Sequence, residues 1–152
     1  LHAALGWNYV LVTALCGSFL AQFIKVILNL FIFHRFIPER MWGAGGMPSS
    51  HSATVCAMVV ATGRYCGVNS PIFAIAAVLS IIVMYDAMGV RYETGEQAKV
   101  LNRMFTEWMD QGFEQFQLPH GKKLKEMVGH TPIEVVTGAA LGIVLGFAMP
   151  MV

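Results

Sequence analysis

This sequence is poor in charged residues. Only 12% of its 152 residues are Asp, Glu, Lys or Arg, whereas globular domains usually carry about 25%. The net charge is +1 and no stretch is strongly basic, so neither a polyanion partner nor nucleic-acid binding is expected. Hydrophobic residues make up 56% of the chain. This balance is typical of an integral membrane protein, and the length predicts a single domain over residues 1–152.

Cysteine is also scarce. Cys16, Cys56 and Cys66 follow no metal-ligand spacing and lie in or beside apolar runs, so they are expected to be packing residues. Neither a disulfide framework nor a metal site is indicated. The chain begins at Leu1 and not at Met, so a targeting segment could be missing and the sequence leaves the compartment open.

The long apolar runs predict an all-α bundle of about four transmembrane spans, because roughly 20 apolar residues cross a bilayer. In the last run, Gly138, Gly142 and Gly146 recur every four residues. Such a stripe of small residues lets a neighbouring helix approach closely. The predicted spans are about 7–33, 50–65, 72–88 and 132–149.

A fifth, amphipathic helix is predicted over about 96–116, within the segment that holds most of the charges. Its apolar residues repeat at intervals of three and four, which is the period of one helix face. The helix could lie along the membrane surface, cover a site or dock against a partner protein. The apolar positions are Ala98, Leu101, Phe105, Trp108, Gly112 and Phe116.

Two short polar stretches stand just before apolar runs, and each contains a histidine. One runs from Gly45 to Ala53 around His51, and the other from Gly129 to Glu134 around His130. Proline and Ser or Thr at these points favour a helix start, where unpaired N–H groups and the helix dipole suit an anion. Each stretch could also be a capped helix start with a polar residue at the membrane edge.

Four spans would place loops 34–49 and 89–131 on the same side of the membrane. These loops hold two and six Lys or Arg residues, against Arg64 alone in the opposite loop, which predicts that they face the cytoplasm, or the matrix or stroma of an organelle. Lys25, within the first span, is expected either to face a site or to snorkel to the interface. The polar residues predicted at this face are Lys25, Arg35, His51, Asp86, Arg91, His130 and Glu134.

The run Met47-Pro48-Ser49-Ser50-His51 resembles the Pro-Ser-Gly-His motif of the type 2 phosphatidic acid phosphatase and vanadium haloperoxidase superfamily. The run from Gly129 to Gly138 is similar to its later motif, in which a histidine precedes an acidic residue by four positions. These runs, with the segment 85–98 between them, resemble in order the membrane proteins called acid phosphatase/vanadium-dependent haloperoxidase-related. The similarity extends over nearly the whole chain.

The resemblance implies a phosphohydrolase that needs no metal and no cofactor. It implies that His130 is the nucleophile that forms a phosphohistidine, that Glu134 orients its ring, and that His51 is the general acid. Phosphate oxygens would be held by cations and by backbone N–H groups at the first helix start. The expected phosphate-binding residues are Lys25, Arg91, Arg35, Ser49 and Ser50, with Asp86 in support.

The chain departs from the superfamily pattern at several positions. Ser50 stands where the motif has glycine, and Glu134 stands where it has Asp. Nine residues separate Lys25 from Arg35, where the superfamily has six between Lys and Arg. The superfamily has an arginine shortly before its later histidine, but the stretch shortly before His130 offers only Lys122, Lys123 and Lys125. Arg91 is therefore the candidate to supply that arginine.

Two functions stay open. The chain could be a membrane phosphatase whose substrate is a phosphorylated lipid such as a phosphatidate, phosphatidylglycerophosphate or polyprenyl phosphate, with membrane lipids around it. It could instead be a catalytically inactive family member that serves, with protein partners, as a small subunit of a larger membrane complex, including one in an organelle. A transporter is less favoured, because the chain is short and has no obvious inverted repeat.

Overall fold

The computed structural model describes residues 8–33, 46–111, 123–126 and 128–151. Within these ranges the chain is helical or forms turns, with no β-strand, which confirms the all-α prediction. The four helices predicted as spans are present, and their bounds agree with the sequence analysis to within about two residues. The helices are α1 Tyr9–Phe33, α2 Ser50–Cys66, α3 Pro71–Met88, α4 Val90–Asp110 and α5 Pro132–Ala148.

Helix α2 is the centre of the bundle. Ala53, Ala57 and Ala61 are completely buried, because α1, α3 and α5 all pack against α2. Small side chains on a helix allow neighbouring backbones to approach closely. The slim sequence of α2 therefore places it in the middle, while the bulkier helices surround it.

The glycine stripe of α5 lies directly on α2. A Cβ atom at Gly138 would collide with the Ser49 carbonyl, and one at Gly142 would collide with the Ala53 carbonyl. Further along, a Cβ at Gly146 would lie 2.6 Å from Val60 Cβ. The contacts advance in the same direction on both helices, so α2 and α5 are parallel and begin at the same end of the bundle.

Helices α1 and α3 run antiparallel to α2. Gly17 of α1 lies against Ala53, whereas Lys25, two turns further on, reaches Gly46 before α2 begins. The end of α3 correspondingly lies near the start of α5, where the Ala87 carbonyl accepts a hydrogen bond from the His130 amide. We call this end of the bundle, with the starts of α2 and α5, the site end; the opposite end is the far end.

The outward faces of the bundle are apolar. Phe19 and Phe23 of α1, Ile81 of α3, and Val144 and Phe147 of α5 are all largely exposed, as expected of helices that contact lipid. By length and composition, two helices could cross a membrane: Tyr9–Phe31 and the continuous stretch Pro71–Asp110. Helices α2 and α5 have 17 residues each, or about 25 Å, against the roughly 30 Å of a hydrocarbon core. The number of four spans therefore stays a prediction.

Helix α4 follows α3 almost without a break, which corrects the predicted start of the amphipathic helix from about residue 96 to Val90. Only Gly89 lies between them, and its φ of −97° and ψ of −100° depart from helical values near −63° and −42°. Residues 89–95 lie before the predicted helix, yet the charged residues in this stretch, Arg91 and Glu93, are good helix formers. The predicted end of this helix falls outside the described residues.

The buried face of α4 is polar at one point. Gly95, Ala98 and Asn102 are buried, whereas Leu101, which was predicted on the apolar face, is exposed. The Asn102 amide nitrogen donates to the Leu124 carbonyl and to Glu126 Oε1, and its Oδ1 accepts from the Leu124 amide. Asn102 thereby fixes the returning segment 123–126 along α4, and this segment leads the chain back to His130.

Candidate active site

A cavity of about 130 Å³ opens at the site end. It is several times larger than the ~30 Å³ that one water molecule occupies in the liquid. Side chains from three helices and from the segment before α5 form its walls. The lining residues are His51, Val83, Asp86, Ala87, Arg91, Val128 and His130.

The backbone places His130 against the junction of α3 and α4. Its amide donates to the Ala87 carbonyl at 3.1 Å. In a regular α-helix that carbonyl would accept from Arg91, four residues further on. Just before His130, Gly129 lies so close to the backbone of Arg91 and Tyr92 that no side chain could fit between them. The break at Gly89 and the glycine at 129 together position the histidine.

The His130 ring is held by Glu134. His130 Nδ1 lies 3.2 Å from Glu134 Oε2, which also accepts the Thr131 amide at 3.0 Å. With a carboxylate at Nδ1, the neutral ring carries its proton there, and Nε2 keeps a free lone pair. The His130 side chain is 3% exposed, and Nε2 has no hydrogen-bond partner among the described residues.

Burial lowers the pKa of His130 below its ordinary value of 6.5. The hydrogen bond and the charge of Glu134 act in the opposite direction, while the charges of Lys25 and His51 lower the pKa further. The net effect keeps the ring neutral at physiological pH. A neutral ring with an unpaired Nε2 is the form that a nucleophile requires.

His51 lies opposite His130. The two ring centroids are 6.1 Å apart and the rings are tilted by 60°. His51 is in the first turn of α2, where Ser49 caps the helix by accepting from the Ser52 amide. Its side chain is exposed, so it can exchange protons with solvent. The two histidines, which the sequence predicts at one face of the membrane, line one cavity.

Lys25 is buried inside the bundle. Its side chain is 2% exposed, which excludes the predicted alternative that it snorkels to the interface. The positive φ of Gly46, 91°, favours glycine and brings the backbone onto the Lys25 stem. The charge of Lys25 interacts with Glu134 and with both histidines. A buried cation next to these groups is well placed to bind an anion.

Ser49 requires a correction. Its amide was expected to bind phosphate, but in the structure that N–H donates to the Glu134 carbonyl at 2.9 Å. The cause is the close packing of α5 on the start of α2, where Gly138 admits the Ser49 backbone. The amide of Ser50, in contrast, has no protein acceptor within the described ranges and stays a candidate. Arg35 lies outside the described residues.

Asp86 and Arg91 form an ion pair at the cavity wall. Arg91 Nε donates to Asp86 Oδ2, and both side chains line the same cavity as the histidines. The structure therefore brings six of the seven polar residues predicted at one face to the same end of the bundle: Lys25, His51, Asp86, Arg91, His130 and Glu134.

Three features that position the site were not recognised in the sequence. They are the Ala87 carbonyl that accepts the His130 amide, the close packing of Gly129, and the hydrogen bonds from Asn102 to the segment 123–126. A glycine directly before a histidine is a visible signal for close backbone packing. Asn102 stands within a predicted helix face and gives no such signal. Across the part of the chain that the structure describes, no three His, Cys, Asp or Glu residues are grouped to hold a metal ion. Chemistry without a metal stays a prediction.

Fold and site together define a helical membrane protein with paired histidines in a pocket at one end of its bundle. A model of the divergent PAP2 family matches residues 7–145, and the chain belongs to that family. It is 38% identical over 144 residues to the uncharacterized membrane protein YuiD of Bacillus subtilis (strain 168), a match that covers 91% of each chain. No solved structure matches the chain significantly. The family resemblance noted in the sequence motifs is thereby confirmed.

Proposed function

We propose that this protein is a membrane phosphatase that removes phosphate from a phosphorylated lipid through a phosphohistidine on His130. The observation that carries the proposal is the state of this side chain. His130 is buried, Glu134 is bonded to its Nδ1, and Nε2 is left without a partner in a cavity shared with His51. Buried polar atoms nearly always have partners, so an unpaired one indicates a function.

In the proposed first step, the Nε2 lone pair of His130 attacks phosphorus and the bond from phosphorus to the lipid oxygen breaks. His51, in its protonated form, gives its proton to that oxygen, so the lipid leaves as an alcohol. In the second step, water attacks the phosphohistidine and the P–N bond breaks. The neutral His51 takes a proton from that water, and inorganic phosphate is released. Lys25, Arg91 and the Ser50 amide would stabilise the charge on the phosphoryl oxygens.

The apolar part of the cavity wall favours a lipid as the substrate. Val83, Ala87 and Val128 are apolar and line the cavity beside the charged residues. Helix α3 exposes Ile81 and Ile82 on the outside of the bundle, near the same end. A lipid could place its phosphate among the charges while its apolar part stays beside α3.

The test is phosphate release by the purified chain from a panel of phospholipids and polyprenyl phosphates. His130→Gln is the main variant, because it keeps a polar group of similar size in the buried site. We expect release that needs His130, survives a chelator and is inhibited by vanadate. The absence of release by well-folded protein across the panel would overturn the proposal, as would full activity of His130→Gln.

A second candidate, an inactive structural subunit, is favoured by one observation. Helix α4 exposes Val100, Leu101 and Met104. Among the described helices, α3 is the one that α4 packs against. Such a surface could dock against a protein partner in a larger membrane complex. Copurification of a stable partner with a wild-type chain that releases no phosphate would favour this function.

The site end is proposed to face the cytoplasm, or the matrix or stroma in an organelle. The excess of Lys and Arg in the loops at this end supports that orientation. In a variant without native cysteines, single cysteines at Lys123 and Val68 would mark the site end and the far end. An impermeant thiol reagent should label them from opposite sides of the membrane, with Lys123→Cys reactive from the inner side. The reverse pattern would contradict the orientation.

A further inference from the structure

We propose that Asp86 is a positioning residue: it holds the Arg91 guanidinium through Nε, so that both η-nitrogens are available to the substrate phosphate. This inference rests on the proposed function and assigns a role to an ion pair that connects α3 and α4. Asp86 itself would not contact the substrate.

The contact between Asp86 and Arg91 depends on the irregular backbone between them. In a straight helix, residues five apart point about 140° away from each other, because each residue turns the helix by about 100°. Asp86 and Arg91 are five apart and still form a hydrogen bond through Nε and Oδ2. The irregular backbone at Gly89 lies between them and makes this contact geometrically possible. The same junction also carries the Ala87 carbonyl that accepts the His130 amide.

The ion pair engages one side of the Arg91 guanidinium. Asp86 accepts from Arg91 Nε, and the two η-nitrogens have no hydrogen-bond partner among the residues that the structure describes. A guanidinium offers five N–H donors in a rigid plane. Fixing it at one side orients the remaining four N–H groups, which suit two oxygens of a phosphate. Arg91 lines the cavity that also contains both histidines.

Stability does not explain the ion pair between Asp86 and Arg91. Its side chains are 51% and 39% exposed, and exposed ion pairs contribute only about 0–1 kcal/mol. A second pair on α4, between Lys99 and Glu96, has nearly the same exposure, 52% and 42%, but its residues do not line the cavity. The Lys99–Glu96 pair is therefore a matched control for a surface ion pair without a site.

A carboxylate at this cavity can either orient a cation that binds the phosphate or simply repel the phosphate, and the charges around the cavity allow the two roles to be distinguished. Lys25 and Arg91 contribute positive charge, and Asp86 and Glu134 contribute negative charge, while the charges of Asp86, Arg91 and Lys25 all act on His51. A carboxylate near a phosphate repels it unless the carboxylate orients a cation that binds it. Removal of Asp86 should therefore weaken anion binding when Arg91 is present, and strengthen it when Arg91 is absent.

The experiment measures vanadate binding to the purified full chain at equilibrium, alongside kcat and KM for phosphate release. The variants are Asp86→Ala, Arg91→Ala, the double variant, and Glu96→Ala as control. We expect Arg91→Ala to weaken vanadate binding about ten-fold or more and Asp86→Ala about three- to ten-fold. The double variant should bind vanadate more tightly than Arg91→Ala, and Glu96→Ala should equal the wild type.

Equal weakening by Asp86→Ala in both backgrounds would overturn the inference, because a general structural role would give that result. Tighter vanadate binding by Asp86→Ala in the wild-type background would also overturn it, since Asp86 would then only compete for Arg91. Measuring binding separately from turnover distinguishes the two proposals. A wild-type chain that releases no phosphate contradicts the proposed function, whereas turnover with no coupling between Asp86 and Arg91 contradicts this inference alone.

Discussion

The two ends of the bundle differ in whether their polar groups have hydrogen-bond partners. At the far end, Arg64 Nη1 lies 2.7 Å from the carbonyls of Gly146 and Met149 and 3.1 Å from the hydroxyl of Tyr9. These carbonyls terminate α5, so the arginine caps that helix. At the site end, His130 Nε2 has no partner within the described residues, and the Lys25 side chain is buried beside ionisable groups.

This difference distinguishes polar groups with a structural role from polar groups with a functional role. A cation surrounded by backbone acceptors lowers the cost of ending a helix and leaves little capacity for a ligand. A buried atom that lacks a partner makes the free protein less stable than it could be, which is typical of a site that acquires its partner from a substrate. Four predictions test this separation.

The largest effect is expected for His51→Gln, which removes the proposed general acid from the site end. General acid–base catalysis contributes typically about 10²- to 10⁴-fold, so kcat for phosphate release should fall by that factor. The exposed side chain has a small role in packing, and the melting temperature should change little. Retention of more than a tenth of the wild-type kcat would remove His51 from this role.

Gly129→Ala should reduce kcat by about ten- to a hundred-fold, because a Cβ there would collide with the backbone of Arg91 and Tyr92 and displace the next residue, His130. Gly146→Ala is the matched control at the far end, where the added Cβ would collide with Val60. Both variants should be less stable than the wild type. If activity per folded molecule fell equally in both, the site end would have no special sensitivity.

Arg64→Met should lower stability and leave the chemistry unchanged. Hydrogen bonds from a charged group are worth about 1.5–3 kcal/mol, so a loss of about 2 kcal/mol is expected when the end of α5 loses its cap. Denaturant or thermal unfolding in detergent would measure the loss. Phosphate release per folded molecule should stay within two-fold of the wild type, and a large fall in kcat would contradict the separation of the two ends.

The smallest effect is a shift in the pH profile. Burial lowers the pKa of His130 below 6.5, so its lone pair stays free until the pH falls below that value, and the acid limb of kcat/KM should lie below pH 6.5. Because Glu134 raises the pKa of His130, Glu134→Gln should move this limb to still lower pH while the rate falls. Both proteins are measured on one substrate, so that the substrate's own titration cancels. A limb that moved upward would show that Glu134 does not act on His130 in this way.

Much of the fold was predictable from local sequence. The apolar runs located α1, α2, α3 and α5, and the capping residues located the starts of α2 and α5. The start of α4 was not predictable in the same way. The change from apolar to charged residues suggested a break over residues 89–95, whereas Arg91 and Glu93 are good helix formers and the helix already begins at Val90.

The candidate site was predictable as a set of residue types but not as an arrangement. His51, His130 and Glu134 stand in local motifs, and the spacing of four residues places Glu134 one helical turn from His130. The hydrogen bond from the Ser49 amide to the Glu134 carbonyl could not be predicted, because it depends on how closely α5 approaches α2. The burial of Lys25 depends likewise on the contact between Gly46 and α1.

The sequence by itself determined a helical membrane protein with two histidine-bearing helix starts, since hydrophobicity and helix capping act over a few neighbouring residues. Only the tertiary structure decided which polar groups are paired and which stay unpaired. Hydrogen bonds such as those from Ser49 to Glu134 and from His130 to Ala87 join residues far apart in the chain. Such pairing depends on distances of about 3 Å between packed helices, which no local pattern specifies.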